Sequence, residues 1–546
     1  MSTNNNWFHK SHIPPNYTAP QDFRFAQSNE GMTLTVEGKY TSPRGKSTSE
    51  AIETQTILRL IDAKYPPLKF QLMTRNRMIF NAFQMNTVSH TYHGLWRNPK
   101  TTQVHFDALD TWVDLAKTLE RGKYDALFLA DVVGIDPAYE GKWNAYIEEG
   151  LHMPCHDPAA LCAALIGATD NLGLTFTSSI LTEHPFSFAR KMSTMDHLSK
   201  GRIGWNIVTS ATHSAAQNYG YDKIVEHDER YRWADEYMKV VYKLWEGSWD
   251  DGAVLADREA GVYADADKIH RVYHHGERYK VLGPHMASPS PQRTPVMYQA
   301  GSSKVGREFA SRHAEATFVV YPTVEGARKG IAEQRKETVA AGRDAGDLKF
   351  IQGFSFVVGS TEEEAWRKSA EIDEDISYRG LAAHIGRDMG IDVSGLDPDM
   401  PIEQTSMTGV QGYARMFEDS NNGQKAKVSD LVGALSYASR MVGTPEQIAD
   451  KLEQWQDAGV DGVNQIIQYF PQSAEDFVEH VIPVLQERGL AQKEYGTGTL
   501  RERMFPGIGP RLPDRHAAAK YRGAFVRDAE VSGAGGTHVT WDTAAV

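Results

Sequence analysis

Apolar residues in the central part of the chain follow two alternating patterns. Short runs in which nearly every position is apolar, such as residues 77–85 and 125–134, are typical of strands buried on both faces of a parallel sheet. Between such runs, apolar residues recur three and four positions apart. The stretch from Leu109 to Leu119 does so and ends at a basic turn with Gly122, which predicts an amphipathic helix.

Eight strand-like runs occur between residues 77 and 470, and helical patterns fill most of the connections. Because parallel strands need crossover connections, the economical closure is an α/β fold, a (β/α)8 TIM barrel. The predicted strands are 77–85, 125–134, 172–180, 202–210, 294–302, 316–322, 349–359 and 462–470. A helix over 443–459 is predicted to open with Thr444 as N-cap and Gln447 completing a capping box.

The regular alternation also sets the expected domain limits. Residues 1–75 are predicted to be an N-terminal extension, 76–490 the barrel, and 491–546 a C-terminal tail. Two large inserts, about 249–293 and 375–440, interrupt the barrel pattern.

Charge and cysteine content exclude several classes of protein. The net charge is −13, with 58 basic and 71 acidic residues, which argues against nucleic acid or an anionic membrane as partner. No run of 18 apolar residues and no secretory signal is found, so we expect a soluble, cytoplasmic protein. Cys155 and Cys162 lie in no Cys/His framework, and the His274–His275 pair has no further ligand at regular spacing, so no metal site is expected.

In a TIM barrel the active site lies at the carboxyl ends of the strands. The residues predicted there are mostly neutral hydrogen-bonding groups, which suit a polar cofactor better than hydrolysis by paired carboxylates or a metal. They are His90, Asp131, Thr177, Ser179, Asn206, Thr209, Ser210 and residues 299–303.

The segment QAGSSKVGREF, residues 299–309, joins a predicted strand to a helix through a Gly-Ser-Ser turn. Free N–H groups and two hydroxyls beside a positive helix end would bind a phosphate. The alternative is a tight turn with Ser as the helix N-cap. Tyr231 is predicted one turn inside a helix that begins at His227, within reach of a ligand at the barrel mouth. His90 has two interpretations as well, a catalytic group or a structural hydrogen bonder.

Five long motifs in order carry a family resemblance. Residues 80–99, 119–134, 192–210, 226–249 and 289–310 resemble the bacterial-luciferase-like two-component flavin monooxygenases. The branch that is most similar holds the nitrilotriacetate, dibenzothiophene-sulfone, dimethyl-sulfide and long-chain-alkane monooxygenases, and the likeness covers about residues 77–525.

This resemblance implies an FMNH₂-dependent monooxygenase that uses O₂, through a C4a-(hydro)peroxyflavin, to oxidise a small organic substrate. A separate NAD(P)H:flavin reductase would supply FMNH₂ by diffusive transfer, since no G-x-G-x-x-G follows a strand here. A homodimer or homotetramer is expected. Together with Ser179, the residues expected to contact FMN are Asp131, Ser210, Tyr231, Ala300, Gly301, Ser302 and Ser303.

The same resemblance places His90 and His384 in the substrate pocket as candidate catalytic residues, with Phe83 beside them. Three positions depart from the alkane enzyme. Thr87 replaces a Cys, Asp136 replaces a Tyr, and Ala211 replaces a His. The first two make the pocket more polar, which argues against a long alkane.

Two other functions remain open at the level of sequence. One is a deazaflavin-dependent hydride-transfer oxidoreductase on the same barrel, and the other is a non-catalytic flavin-binding barrel. Substrates from organosulfur compounds and amines to aromatics, heterocycles and alkanes are all compatible with the sequence, because the inserts that shape the pocket obey no local rule.

Overall fold

The computed structural model describes residues 76–404, 425–437 and 439–525, and the antiparallel hairpin strands Arg24–Ser28 and Gly31–Thr35. The chain divides into two compact units, residues 1–75 and 76–546. Part of the late insert, residues 405–424, and the end of the predicted tail, residues 526–546, lie outside the described residues.

Eight parallel strands close into a barrel in the second unit. Each strand pairs with its neighbours in chain order, and the last pairs with the first. This arrangement confirms the predicted (β/α)8 TIM barrel. The strands are β1 Ile79–Met85, β2 Ala126–Ala130, β3 Gly173–Ser179, β4 Ile203–Val208, β5 Val296–Gln299, β6 Ala316–Val319, β7 Lys349–Val358 and β8 Gly462–Ile466.

Helices fill the connections and surround the barrel. Thr444 and Gln447 form the predicted capping box. The described helices are α1 Leu109–Arg121, α2 Asn144–Glu148, α3 Pro158–Ile166, α4 Pro185–Leu198, α5 His213–Asn218, α6 His227–Tyr242, α7 Lys304–His313, α8 Val324–Ala340, α9 Glu362–Asp375, α10 Tyr378–Met389, α11 Val428–Tyr437, α12 Pro445–Asp457, α13 Gln472–Asp476, α14 Ile482–Glu487 and α15 Leu500–Met504.

Several details differ from the sequence patterns. β2, β6 and β8 end three or four residues earlier than predicted, at Ala130, Val319 and Ile466. Leu109 was predicted on the apolar face of α1, but its side chain is 48% exposed, because the first residue of the helix lies beyond the packed surface. β5 was predicted over 294–302 but ends at Gln299, where the chain turns towards α7. No helix in the described parts of the chain is long and apolar enough to cross a bilayer.

The inserts and the tail pack on the barrel at different places. The first insert carries two small antiparallel pairs, Val254–Asp257 with Val262–Ala264 and His274–His275 with Lys280–Val281. In the late insert, α10 and α11 share an apolar cluster. In the tail, α15 packs its Leu500 and Met504 against residues at the amino ends of the strands.

Candidate active site

Two cavities lie at the carboxyl ends of the barrel strands. We call the one of about 330 Å³ the small cavity and the one of about 840 Å³ the large cavity. Both volumes are in the range of sites that hold cofactors and small ligands. Asp131, Val132, Val133 and Thr177 line both cavities, so the end of β2 is a wall that they share.

The small cavity contains most of the residues predicted to bind a cofactor. It lies over the ends of β2 to β5, and Arg387 and Asp388 of α10 complete its lining. Ser302 and Ser303 come directly after the lining residue Gly301, on the turn between β5 and α7, and are not themselves among the lining residues. The predicted residues that line the small cavity are Asp131, Ser179, Ser210, Ala211, Tyr231, Ala300 and Gly301.

Tyr231 of α6 inserts its hydroxyl into the turn after β5. A Cβ atom at Gly301 would lie 2.5 Å from that hydroxyl, and one at Gly306 would lie 2.8 Å from it. Gln299 Nε2 donates to the Tyr231 hydroxyl at 3.4 Å. Both glycines are therefore needed for the close approach of Tyr231, because any side chain at either position would displace it.

Ser303 is the N-cap of α7, and its Oγ accepts a hydrogen bond from Gly306 N at 3.1 Å. The first N–H groups of a helix have no acceptor within the helix. Here they lie at the end of the turn that contacts the Tyr231 hydroxyl, beside the small cavity. The N-cap role and the phosphate-binding role are thus compatible, since a hydroxyl that accepts one hydrogen bond still has a donor and a second lone pair.

Ser210 lies at the end of β4 in the left-handed backbone region, with φ of 55°. This conformation costs free energy for any residue other than glycine, and such residues concentrate at functional sites. Ser210 Oγ donates to Ser179 Oγ at 2.8 Å. The bond joins the ends of β4 and β3 and places both hydroxyls on one wall of the small cavity.

Asp131 is the acidic group on the wall between the two cavities. Burial raises its pKa to about 6, and the nearby carboxylate of Asp157 adds to the effect. Cys155 Sγ lies 3.7 Å from Asp131 Oδ1 and donates weakly to it. Asp131 therefore changes its charge close to neutral pH. Because its side chain lines both cavities, a ligand in either one would contact it.

Two buried carbonyl oxygens at the ends of β4 and β5 lack partners within the described residues. They are Asn206 Oδ1 and Gln299 Oε1, and Gln299 lines the small cavity. Unpaired buried acceptors are costly, so such atoms call for a donor from a ligand or water. A flavin fits this demand, because its ring offers N–H groups and its phosphate suits the hydroxyl-rich turn.

His90 and His384, the predicted catalytic residues, lie behind the cavity walls. Neither is among the residues that line the two cavities, and each is 7% exposed. His90 stacks edge-on against Phe83 with ring centroids 4.7 Å apart. Burial lowers the pKa of His90 to about 3, and the positive charges of His384 and Arg387 contribute. His90 is therefore neutral at physiological pH.

The other expected pocket residues have structural contacts. Thr87 Oγ1 donates to the Pro154 carbonyl at 2.6 Å. The Asp136 carboxylate accepts from the backbone N–H groups of His213 and Ser214 at 2.7 and 2.8 Å, which caps the start of α5. Phe83 also packs against Phe128 and Phe318 inside the barrel.

Several site residues were not identified from the sequence. His152 lines the large cavity and donates from Nε2 to the His90 carbonyl at 2.7 Å. Arg387 and Asp388 line the small cavity, and Arg387 Nη1 donates to His152 Nδ1 at 2.6 Å. His152 comes from an irregular loop, where residue spacing carries no signal of what it will contact. Arg387 and Asp388, however, follow His384 on α10 by three and four residues, which puts them on its helical face.

Comparison with known proteins agrees with this geometry. Residues 85–462 match the family described as luciferase-like monooxygenase. The chain is 43% identical to the long-chain alkane monooxygenase of Geobacillus thermodenitrificans over 81% of this chain and 97% of that protein. It is 39% identical to the dimethyl-sulfide monooxygenase of Hyphomicrobium sulfonivorans over 83% and 95% of the two chains.

A solved structure gives the same result for the fold. The crystal structure of a riboflavin lyase with modified FMN and riboflavin is 38% identical, with a TM-score of 0.75, and the match covers 82% of this chain and 100% of the other. The chain therefore belongs to the luciferase-like monooxygenase family and is a flavin-dependent monooxygenase.

Proposed function

We propose that this protein is the oxygenase component of a two-component system that binds FMN as FMNH₂ from a separate NAD(P)H:flavin reductase and uses O₂ to oxidise a small organic substrate. The observation that carries the proposal is the Tyr231 hydroxyl held between Gly301 and Gly306 at the start of α7, beside the small cavity. A homodimer or homotetramer in the cytoplasm is part of the proposal and rests on the family resemblance.

The residues in and beside the small cavity divide into two groups by the chemistry they offer. Ser303, Tyr231 and Ser210 would hold the phosphate with hydroxyls and with the N–H groups at the start of α7. Asn206 and Gln299 would accept hydrogen bonds from the polar edge of the flavin ring, since their carbonyl oxygens lack partners among the described residues. Bound reduced flavin supplies the electrons that activate O₂.

The large cavity is the proposed substrate site. It shares the Asp131 wall with the small cavity, so a ligand there would lie next to one held over β3 and β4. Its lining combines aromatic side chains, Trp143, Phe176 and Tyr219, with the ion pair of Lys191 and Glu183, whose Nζ and Oε2 atoms are 2.6 Å apart. This lining favours a substrate with both a ring and polar groups, such as a polar aromatic or heterocyclic compound, over a long alkane.

Within this proposal, His90 and His384 act from behind the cavity wall. The His90 carbonyl would orient His152 by accepting from its Nε2, and the His90 ring would act as a hydrogen-bond acceptor through its own Nε2. His384 would hold α10 against the loop after β1 through its hydrogen bond to His93. Hydride transfer to a deazaflavin is not favoured, because relatives 35–43% identical to this chain are monooxygenases.

The phosphate assignment is tested by comparing FMN with riboflavin. Ser303→Gly combined with Tyr231→Phe should weaken binding of reduced FMN by about 2–4 kcal/mol. A hydrogen bond to a charged group is worth roughly 1.5–3 kcal/mol, and two losses at neighbouring groups add only in part. Riboflavin binding should hardly change. Glycine is chosen at position 303 because it is tolerated as an N-cap. Anaerobic titration of the photoreduced flavins gives both affinities.

A matched control removes an equivalent cap and hydroxyl elsewhere. Thr323 is the N-cap of α8, and Tyr263 is 66% exposed on the first insert, so Thr323→Gly with Tyr263→Phe should leave both affinities unchanged. An equal loss for FMN and riboflavin in the Ser303 and Tyr231 variant would show that these groups do not hold the phosphate. A screen of oxygen uptake with a flavin reductase present would identify the substrate.

A further inference from the structure

Three buried histidines from distant parts of the chain converge next to both cavities. His93 follows β1, His152 follows α2, and His384 lies on α10. Their exposed fractions are 0%, 4% and 7%. One ring nitrogen from each lies within 4.8 Å of the others, so the three imidazoles face a common centre. Neither the proposed flavin site nor the proposed substrate site uses the space that the three rings enclose.

The outward-facing nitrogen of each ring has an oxygen partner. Ser89 Oγ hydrogen-bonds His93 Nδ1. His152 Nε2 donates to the His90 carbonyl at 2.7 Å. His384 Nε2 lies 3.3 Å from Asp388 Oδ2. Histidines that bind metals nearly always use their second nitrogen in this way, towards a hydroxyl, a backbone carbonyl or a carboxylate.

The inward-facing nitrogens are His93 Nε2, His152 Nδ1 and His384 Nδ1, and N–H groups lie between them. His93 Nε2 lies 2.7 Å from His384 Nδ1, a distance at which one of the two must carry a hydrogen. Arg387 Nη1 lies 2.6 Å from His152 Nδ1. The inward-facing nitrogens that carry no hydrogen therefore act as acceptors, and the one at His152 already binds the Arg387 cation.

The surrounding backbone holds the three rings in place. Ser377 N donates to the His93 carbonyl at 2.8 Å, and a Cβ at Gly380 would lie only 2.7 Å from His93 Cβ, so α10 packs closely on the loop after β1. Isolated bridges pair Ser89 with Leu151 and Thr87 with Cys155, which ties the same loop to the segment that carries His152.

We propose that His93, His152 and His384 form a three-histidine site for a divalent first-row transition metal such as Zn²⁺ or Co²⁺. Imidazole ligands suit these ions, and three protein ligands leave the fourth tetrahedral position to water or to a ligand atom. His152 lines the large cavity, so that position would be next to the proposed substrate site.

Metal binding requires the hydrogen between His93 Nε2 and His384 Nδ1 to leave, and the three rings to shift. The ligand nitrogens now lie within 4.8 Å of one another, so His152 must move towards the other two by up to about 1.5 Å. With metal–nitrogen distances of about 2.0–2.1 Å, the nitrogens of a tetrahedral site are about 3.3 Å apart, so His93 and His384 must separate by roughly 0.6 Å. Arg387 must release His152. It already donates from Nε and Nη2 to Asp388 Oδ1 at 2.9 and 2.7 Å, so its charge stays neutralised when it does. The bound ion would fasten α10 to the loops after β1 and α2.

The test is a Co²⁺ titration of the full-length, chelator-treated protein without flavin, followed by the visible absorption of cobalt and by calorimetry. We expect one equivalent to bind with micromolar or tighter affinity. His93→Gln and His384→Gln should each weaken binding at least tenfold, and the control His105→Gln, at an exposed histidine, should not. Arg387→Gln, which removes the competing cation, should tighten binding.

A second measurement keeps the test decisive if a glutamine variant is unstable. Zn²⁺ should raise the Tm of the wild-type protein and of the His105 variant but not that of a folded His93 or His384 variant. Absence of saturable binding to the wild-type protein would overturn the proposal. Binding that survives unchanged in both the His93 and the His384 variants would overturn it too. Neither outcome depends on flavin or on activity, so the proposed function is tested separately.

Discussion

Burial determines the protonation state of the histidine at the end of β1. Burial disfavours the charged imidazolium of His90, and the charges of His384 and Arg387 act in the same direction. Together they lower the pKa of His90 to about 3, so the ring is neutral above about pH 4. Its Nδ1 lies 3.2 Å from Gln84 Oε1, an atom that can only accept, so Nδ1 carries the hydrogen. Nε2 is left as an acceptor, and His90 acts as a base or hydrogen-bond acceptor, never as a cationic acid, at neutral pH.

This state gives a prediction for pH dependence. His90→Ala should leave binding of reduced FMN nearly intact and lower product formation by about 10²–10⁴, the usual scale of general acid–base catalysis. Because the pKa of His90 is lowered to about 3, the ratio of wild-type to variant rate should stay constant from pH 5 to 8. Product formed per oxygen consumed is the quantity to measure.

The control for His90 is His105→Ala, since His105 is exposed and lines neither cavity. A ratio that falls tenfold or more as the pH drops through 6.5 would show that His90 titrates as an ordinary histidine. A variant that forms product normally would leave His90 as a structural hydrogen bonder.

At the scale of elements, the strand–turn–helix unit of β5 and α7 is built around a side chain from α6. The turn approaches Tyr231 so closely that position 301 has no room for a Cβ atom, which would lie 2.4 Å from Gln299 Nε2. The unit therefore brings three groups together beside the small cavity, namely the α7 N-terminus, the Tyr231 hydroxyl and the Gln299 amide. Its geometry depends on packing between two helices that are separate in sequence.

Gly301→Ala should disturb these three groups together. The new methyl group must displace the Tyr231 hydroxyl and the Gln299 amide, so we expect the affinity for reduced FMN to fall by about tenfold to a hundredfold, as for the loss of one hydrogen bond to a charged group. Gly346→Ala is the control, since a Cβ there meets nothing within 4 Å. Anaerobic flavin titration measures both. Unchanged FMN affinity in the Gly301 variant would remove this turn from the flavin site.

At the scale of the whole molecule, the tail closes the amino end of the barrel. α15 places Arg501 at 0% exposure, where its Nε and Nη2 donate to both oxygens of Glu315 at 2.6 and 2.8 Å. Arg501 Nη2 also donates to the carbonyls of Thr294 and Pro295, just before β5. Glu315 in turn accepts from Met297 N at 3.0 Å. The tail thus joins the starts of β5 and β6 through one buried ion pair.

Arg501→Met should destabilise the protein by about 3–5 kcal/mol, because it leaves the Glu315 carboxylate buried without a counter-charge. The control Arg328→Met removes an exposed pair with Glu325 and should cost less than about 1 kcal/mol. Urea unfolding measures both free energies. A loss below 1 kcal/mol for the Arg501 variant would show that the tail is not part of the cooperative unit.

The sequence alone determined the barrel, its order of strands and helices, the capping box at Thr444 and the glycine-serine turn after β5. These features arise from residues close together in the chain, whose periodicity and turn chemistry act locally. The small cavity likewise gathers most of the predicted cofactor residues, because the carboxyl ends of parallel strands necessarily meet at one end of a barrel.

Only the tertiary structure decided which side chains share a buried space. Thr87 and Asp136 bind backbone groups of neighbouring loops, and His90 lies behind the wall that His152 lines. The three-histidine cluster joins two loops and an insert helix that are far apart in sequence. Such meetings depend on how irregular segments fold over the barrel mouth, and no local pattern of residues records that path.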